Sequence, residues 1–270
     1  MSREIAGSPL LAMTKPIIAM VHFLPLPGAS GYDAAGGMRR IVDGAASDIA
    51  ALQKAGVDAV MFGNEGDRPY RTRAASAGFA AMAAAIGELK PLVKVPFGVN
   101  YLWDPLATVR LAAATGAVFA REIFTGVYAS DMGLWAPDAA AALEERARLG
   151  RTDLALLFNI NAEFAAPLDT RPVATRARSA VFSSLADVIC VSGGMTGEGV
   201  ELSELATVKR ALPATPVFAN TGVRIDTVAE ILKHADGCVV GTHFKQGGDT
   251  WAPVDSDRAA RFMDHVRTLR

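Results

Sequence analysis

Eight short apolar runs organise this chain. Each closes in polar or glycine residues, and each is followed by an Ala/Leu-rich stretch with helical spacing. The runs are Pro16–His22, Ala59–Glu65, Pro96–Tyr101, Ala117–Ile123, Leu154–Asn161, Asp187–Gly193, Pro216–Gly222 and Gly237–Phe244. A near-continuous apolar run of this length is how a strand buried on both faces reads. The stretches that follow include Arg39–Lys54, Arg71–Leu89, Pro105–Ala114, Asp138–Leu149, Val173–Leu185, Glu201–Ala211, Thr227–Lys233 and Asp255–Leu269. In the first, Ile41, Ala45, Asp48 and Leu52 share one helical face. The repeating unit is about thirty residues, the size of a strand–helix module.

Start and stop signals agree with this division. Asp104 before Pro105 reads as an N-cap followed by a first-turn proline, and Asp226 reads as a second N-cap. Gly56, Gly116 and Gly237 stand where helices should end. Eight strand–helix units with no leftover strand predict an α/β fold, a closed (β/α)8 TIM barrel. The barrel domain is expected over residues 16–270, with residues 1–15 as an N-terminal extension, a short helix covering the barrel bottom. The alternative, an open doubly wound sheet, would place a glycine fingerprint after its first strand. Here the first strand ends His22-Phe23-Leu24-Pro25, and the glycine loops come late. No linker or composition shift marks a second domain.

Composition narrows the function classes. The 270 residues are 51% hydrophobic and 20% charged, which suits a chain with a large core. The 27 basic and 28 acidic residues form no basic stripe, so nucleic acid is not an expected partner. Cys190 and Cys238 lie inside apolar runs and read as reduced core thiols, pointing to a cytoplasmic location. No uncharged apolar run reaches the roughly 18–20 residues of a membrane span. No secretory signal pattern opens the sequence.

In a barrel, the polar residues that close the strands gather at one mouth, where enzymes of this architecture build their sites. Alternation along each strand puts His22 on the face of Ile18 and Met20, Asn100 on that of Gly98, and Asn220 on that of Phe218. Arg121 is expected inside, with Glu122 turned away toward a neighbouring cation. The Gly63–Tyr70 segment adds Glu65 and Asp67. Two nearby carboxylates can divide into acid and base, or hold a divalent metal through oxygen ligands. Asp67 could instead cap a helix, and His22 could be a hydrogen-bonded structural residue. The candidate catalytic set is therefore His22, Glu65, Asp67, Asn100 and Arg121. No HExxH motif, CxxC pair or His cluster points to zinc.

Three late loops read as an anion cradle: Ser192, Gly193 and Gly194; Asn220, Thr221 and Gly222; and Gly241 with Thr242. Glycines let backbone N–H groups approach a phosphate, and barrels often bind phosphate after strands 7 and 8. Tight turns would explain the same glycines. Two long connections, Phe23–Met38 and Thr125–Pro137, are candidate lids. The second carries Tyr128, Asp131 and Trp135.

The chain resembles the BtpA/SgcQ family of barrel proteins, and is more similar to its SgcQ branch. The matching segments are Ile18–His22 with Leu26-Pro27-Gly28, Asn64–Tyr70, Pro96–Asn100 with Trp103-Asp104-Pro105, and Arg121–Asp131. Cys190–Gly193, Ala219–Val223 and Thr242–Lys245 complete them. Where the BtpA branch tends to have Glu-Asn, this chain has Gly63-Asn64, so a role carried by a Glu at that position does not transfer. One branch takes its name from photosystem I accumulation, and the other lies beside sugar transport and metabolism genes.

These readings together predict an enzyme acting on a small phosphorylated metabolite, a sugar phosphate or a ribosyl compound. The chemistry would be lyase, isomerase or glycosyl-hydrolase chemistry by carboxylate and His groups. Beyond the divalent ion allowed above, no cofactor is implied, and a homo-oligomer is left open. The alternative is a non-catalytic assembly factor built on the same scaffold.

Overall fold

The computed structural model describes residues 8–270. In chain order it runs β1 (Ile17–His22), α1 (Gly37–Ala55), β2 (Ala59–Gly63), α2 (Ser76–Leu89), β3 (Phe97–Asn100), α3 (Pro105–Thr115) and β4 (Phe119–Glu122). Next come β5 (Tyr128–Ser130), β6 (Gly133–Trp135), α4 (Ala139–Arg148), β7 (Ala155–Asn159), β8 (Ala165–Pro167), α5 (Val173–Phe182) and β9 (Val188–Val191). The chain ends with α6 (Leu202–Ala211), β10 (Val217–Ala219), α7 (Val228–Ile231), β11 (Gly237–Val240) and α8 (Ser256–Arg267). Eight parallel strands close in the order β1-β2-β3-β4-β7-β9-β10-β11, with β11 pairing back onto β1. This is the (β/α)8 barrel that the eight runs predict.

β1 ends with its run at His22, and the other strands stop one to four residues before their runs do, so the polar run ends become loops over the mouth. Asp104 caps α3, its carboxylate accepting from Ala107 N–H at 3.0 Å, and Gly56 and Gly116 close α1 and α3. Two boundary expectations fail. The cap of α7 is Thr227, with no capping bond from Asp226. Gly237 opens β11 instead of closing a helix, because a side chain there would strike the Phe218 ring.

Alternation sorts the barrel as expected. Ile18, Met20, Ala59, Met61, Phe119, Ala155, Leu157, Val188, Cys190, Phe218 and Val239 form the interior cluster. Leu10, from the segment before β1, is fully buried in it. That segment, from residue 8 to 15, is turns and bends rather than the expected helix, and residues 1–7 lie outside the described residues. Cys238 packs on the outer side of the strands, and both thiols are free and buried. Among the described residues, no helix is long and apolar enough to cross a membrane.

β5, β6 and β8 form a small antiparallel sheet outside the barrel, order β6-β5-β8. It takes up the loop after β4 and part of the loop after β7. Three-residue strands show no periodicity long enough to read in sequence.

Gly98 has a packing reason. A Cβ there would lie 2.1 Å from the Phe119 ring, which fills the interior beside β3. Gly98→Ala should therefore destabilise the protein by about 1–3 kcal/mol, the usual cost of overpacking a filled core. Denaturant unfolding measures it, and an unchanged midpoint would show that Phe119 can move aside.

Candidate functional site

Continuing the interior faces one step past the last apolar residues brings His22, Gly63, Asn100, Arg121, Asn159, Ser192, Asn220 and Gly241 to the mouth end of the barrel, in a staggered ring. Along β1 to β3 the register is shared, His22 pairing with Gly63 and Gly63 with Asn100, whereas Arg121 pairs with Leu157 and Asn159 with Cys190, which sets the stagger. A cavity opens above this ring. It is lined by His22, Glu65, Arg121, Asn220, Thr221, Gly222, Gly241 and Thr242, together with Tyr70, Trp103, Glu163, Phe164, Thr196 and Gly197.

Glu65 is the least accommodated group in this cavity. Its carboxylate sits against Gly63, where a Cβ would be 2.4 Å from Oε2. It faces the His22 ring, with Oε1 3.9 Å from Nε2, while Oε2 is buried with no partner in the protein. Burial pushes its pKa up to about 7, Arg121 pulls the other way, and Glu163 adds to the rise. Burial and the charge of Lys245 push His22 down to about 3, so the imidazole is neutral at neutral pH. Its Nδ1 faces the Thr250 carbonyl at 3.5 Å. The Gly-for-Glu difference at position 63 thus has a steric sequel: the carboxylate of Glu65 takes the room that a residue 63 side chain would fill.

Arg121 sits at the centre of the polar layer. It donates to the Asn100 carbonyl oxygen and lies 3.7 Å from Glu163. Asn100 passes the connection on, donating to Glu122 at 3.0 Å. The expected ion pair of Glu122 with a neighbouring cation is therefore not found among the described residues. Glu122 accepts from Asn100 and from Ile123 N–H, and burial raises its pKa to about 8. Asn100 itself is fully buried and reaches the cavity only through Arg121.

Asp67 goes elsewhere. It accepts from Leu26 N–H at 2.8 Å and from the Asn64 amide at 3.0 Å, tying the loop after β1 to the loop after β2. It lines a separate cavity with Arg71 and Tyr101. Glu65 and Asp67 therefore do not converge on one point. Among the described residues, no three His, Cys, Asp or Glu side chains are grouped as a metal site.

The late loops are occupied in a way the sequence did not suggest. Glu163, just past β7, accepts from the Thr196 hydroxyl at 3.0 Å and from the Ser192 hydroxyl and the Asn220 amide N–H, each at 3.4 Å. Gly193 N–H donates to the Thr221 hydroxyl at 2.6 Å. Gly222, at φ +60°, lets the Glu198-Gly199 backbone pack against it, where a Cβ would be 2.2 Å from Gly199 N. Gly194 is exposed and accepts from Phe164 N–H. Gly222, Gly241 and Thr242 line the cavity, whereas the Ser192 hydroxyl and the Asn220 amide nitrogen face the protein's own carboxylate.

Tyr128 and Trp135 are buried with Leu102, Trp103 and Ile123, and the Trp103 and Trp135 rings lie 5.7 Å apart. Asp131 is exposed at the turn between β5 and β6. The outer sheet thus touches the cavity through Trp103. Glu163, Tyr70, Thr196 and Phe164 were not read as site residues. Glu163 follows two asparagines at a strand end, the same signal that marked Glu65. Tyr70 donates to the Glu65 carbonyl at 3.1 Å.

Lys245 is not free to meet an anion. It is buried in an ion pair with Asp48 of α1 at 2.6 Å, and Asp48 also accepts from Val254 N–H at 2.7 Å. The pair borders a second, larger cavity of about 780 Å³ that shares His22 with the first.

The fold and the polar mouth define a barrel protein with a buried carboxylate–guanidinium site. The match to the BtpA family over residues 13–268 shows that the chain belongs to that family. It is 44% identical over 268 residues to the putative sgc region protein SgcQ of Escherichia coli K12, covering 99% of this chain and 98% of that one. It is 31% identical to the photosystem I biogenesis protein BtpA of Synechocystis PCC 6803, covering 92% and 87%. Among solved structures, that titled "Native KDPGal structure" superposes with a TM-score of 0.58 at 17% identity, over 95% of this chain and 97% of that chain, a likeness of fold.

Two outcomes are expected. Between pH about 4.5 and 7 the folded chain holds a proton on Glu65 that the unfolded chain has lost, so stability falls as pH rises through that window. Glu65→Gln should melt higher than the parent at about pH 8.5 and match it below about pH 4.5. A melting difference that does not change with pH would mean that Glu65 is not held protonated. Lys245→Met leaves Asp48 buried and unpaired, and should cost about 3–5 kcal/mol in chemical denaturation. A loss below 1 kcal/mol would show that water reaches Asp48.

Proposed function

We propose that this chain is an acid–base enzyme acting on a small phosphorylated metabolite of the sugar-phosphate or ribosyl type. The observation that carries the reading is Glu65: a buried carboxyl at about 7, with one oxygen unpartnered, facing the same cavity as the Arg121 guanidinium. A carboxyl tuned near neutrality can take and return a proton at working pH. A buried guanidinium stabilises negative charge that develops on an adjacent oxygen during such a transfer. His22, neutral and beside Glu65, orients that carboxyl. The pairing supports lyase, isomerase or glycosyl-hydrolase chemistry, each of which needs a proton moved at an oxygen or at a carbon next to a carbonyl. Asp67, turned into another cavity, has no part in this reading.

The phosphate belongs against Gly222, Gly241 and Thr242, on the part of the cavity wall away from Glu163, which engages Ser192, Thr196 and Asn220. The outer sheet bearing Tyr128, Asp131 and Trp135 would cover the reacting end. The cytoplasm supplies such metabolites and keeps Cys190 and Cys238 reduced. The name of the 31%-identical relative favours a second reading, a non-catalytic biogenesis factor. On that reading the mouth residues would be dispensable.

The test begins with a screen of phosphorylated sugars and nucleosides for thermal stabilisation, followed by turnover on the compounds that bind. Activity should rise through about pH 7, and Glu65→Gln should lower kcat about 10²–10⁴-fold. Gly63→Ala keeps the carboxylate but takes its room, and should lower kcat while leaving the fold intact. Wild-type turnover in both variants would overturn the acid–base role of Glu65.

A further inference from the structure

Four side chains lining the deep cavity carry a buried nitrogen or oxygen with no partner in the protein: Glu65 Oε2, Trp103 Nε1, Arg121 Nε and Asn220 Oδ1. Two are donors and two are acceptors. The Asn220 amide nitrogen donates to Ser192 at 2.7 Å and faces Glu163 at 3.4 Å, which leaves the side-chain oxygen as the atom without a partner. A buried polar group without a partner costs about 1–3 kcal/mol, so four in one cavity mark a surface shaped for something else.

We infer that the deep cavity binds an uncharged, hydroxyl-bearing fragment of two or three hydroxyl groups, held by Trp103, Arg121, Asn220 and Glu65. The inference rests on the enzyme reading only in placing that fragment at the reacting end of the substrate.

The chemistry of the four atoms selects the class. A carboxylate or a dianionic phosphate monoester only accepts, so it would satisfy Trp103 and Arg121 but press its charge against Glu65, Glu163 and the Asn220 side-chain oxygen; inorganic phosphate keeps an O–H but brings the same charge. An ammonium only donates and would leave Trp103 and Arg121 unmet. Among the described residues, Arg121 is the one guanidinium or ammonium group lining the cavity, and it already lies beside Glu163. A hydroxyl both donates and accepts, so two hydroxyls satisfy all four atoms. An amide carries donor and acceptor at fixed places, whereas a hydroxyl rotates to suit Glu65 whether or not that carboxyl holds a proton. Size agrees. The cavity measures about 40 Å³. At roughly 10–15 Å³ per water-sized group, that is room for about three such groups.

The test uses the whole chain and follows the Trp103 indole N–H by nitrogen–proton NMR, assigned with Trp103→Phe. Glycerol, erythritol and D-ribose are titrated separately, then inorganic phosphate, pyruvate, methylammonium and uracil. At least one polyol should move the Trp103 resonance saturably. By calorimetry, Asn220→Leu and Trp103→Phe should each weaken that polyol about tenfold, the loss of one buried hydrogen bond. The two variants guard against a folding failure of either. The inference is overturned if no polyol moves the resonance, if neither variant weakens binding, or if phosphate, pyruvate, methylammonium or uracil saturates it more tightly. Polyol binding without any turnover would sink the enzyme reading alone. Turnover that depends on Glu65, with a silent Trp103 resonance, would sink this inference alone.

Discussion

Arg121 is the constraint around which the mouth is organised. One guanidinium, buried on a barrel strand, has Glu163 at 3.7 Å, Asn100 as its acceptor, Glu65 within electrostatic reach and Glu122 beyond Asn100. Three buried carboxyls around one cation cannot all be ionised cheaply, because each charge taken out of water needs its own partner. Glu65 and Glu122 answer by holding their protons to about 7 and about 8, while Glu163, whose pKa burial also raises, takes neutral donors from two loops. The proton inventory of the site thus follows from a shortage of cations in a dry layer.

That ring exists because period-two alternation runs on unbroken to the end of each parallel strand. Every strand arrives at the mouth with the same inside-or-outside phase, so a polar residue two places past an interior apolar one must join the ring. The rest of the interior stays apolar, with Phe119 filling the room left by Gly98. The site needs no insertion of its own to exist. The loops add Glu65, Tyr70, Trp103 and Glu163 above it.

Much of this was legible in the sequence. Apolar runs fixed in length by barrel height gave the strands, and period-two alternation placed His22, Asn100, Arg121 and Asn220 inside. What escaped was set by side chains folding back. Glu65 returns over Gly63, and Asp67, two residues on, turns to the Asn64 amide and Leu26 N–H. Spacing along the chain cannot separate those two fates, because both depend on which backbone amide is left wanting an acceptor. Glu163 was missed for a related reason. The glycine loops read as a cradle for an outside anion, and the carboxylate that engages Ser192, Thr196 and Asn220 comes from a different strand end. The outer sheet, built of three-residue strands, carries too little pattern to be read at all.

The buried pair of Lys245 with Asp48 has a consequence for how the barrel is made. The two residues are 197 positions apart, and the second donor to Asp48, Val254 N–H, comes later still. During synthesis, α1 emerges with a carboxylate meant for burial while both of its donors are still being translated. The first helix therefore cannot settle against the barrel in its final form until the last unit is out. Thr250, whose carbonyl faces His22, lies between those same two donors. The ten residues from Lys245 to Val254 thus complete both the mouth and the burial of the first helix's carboxylate.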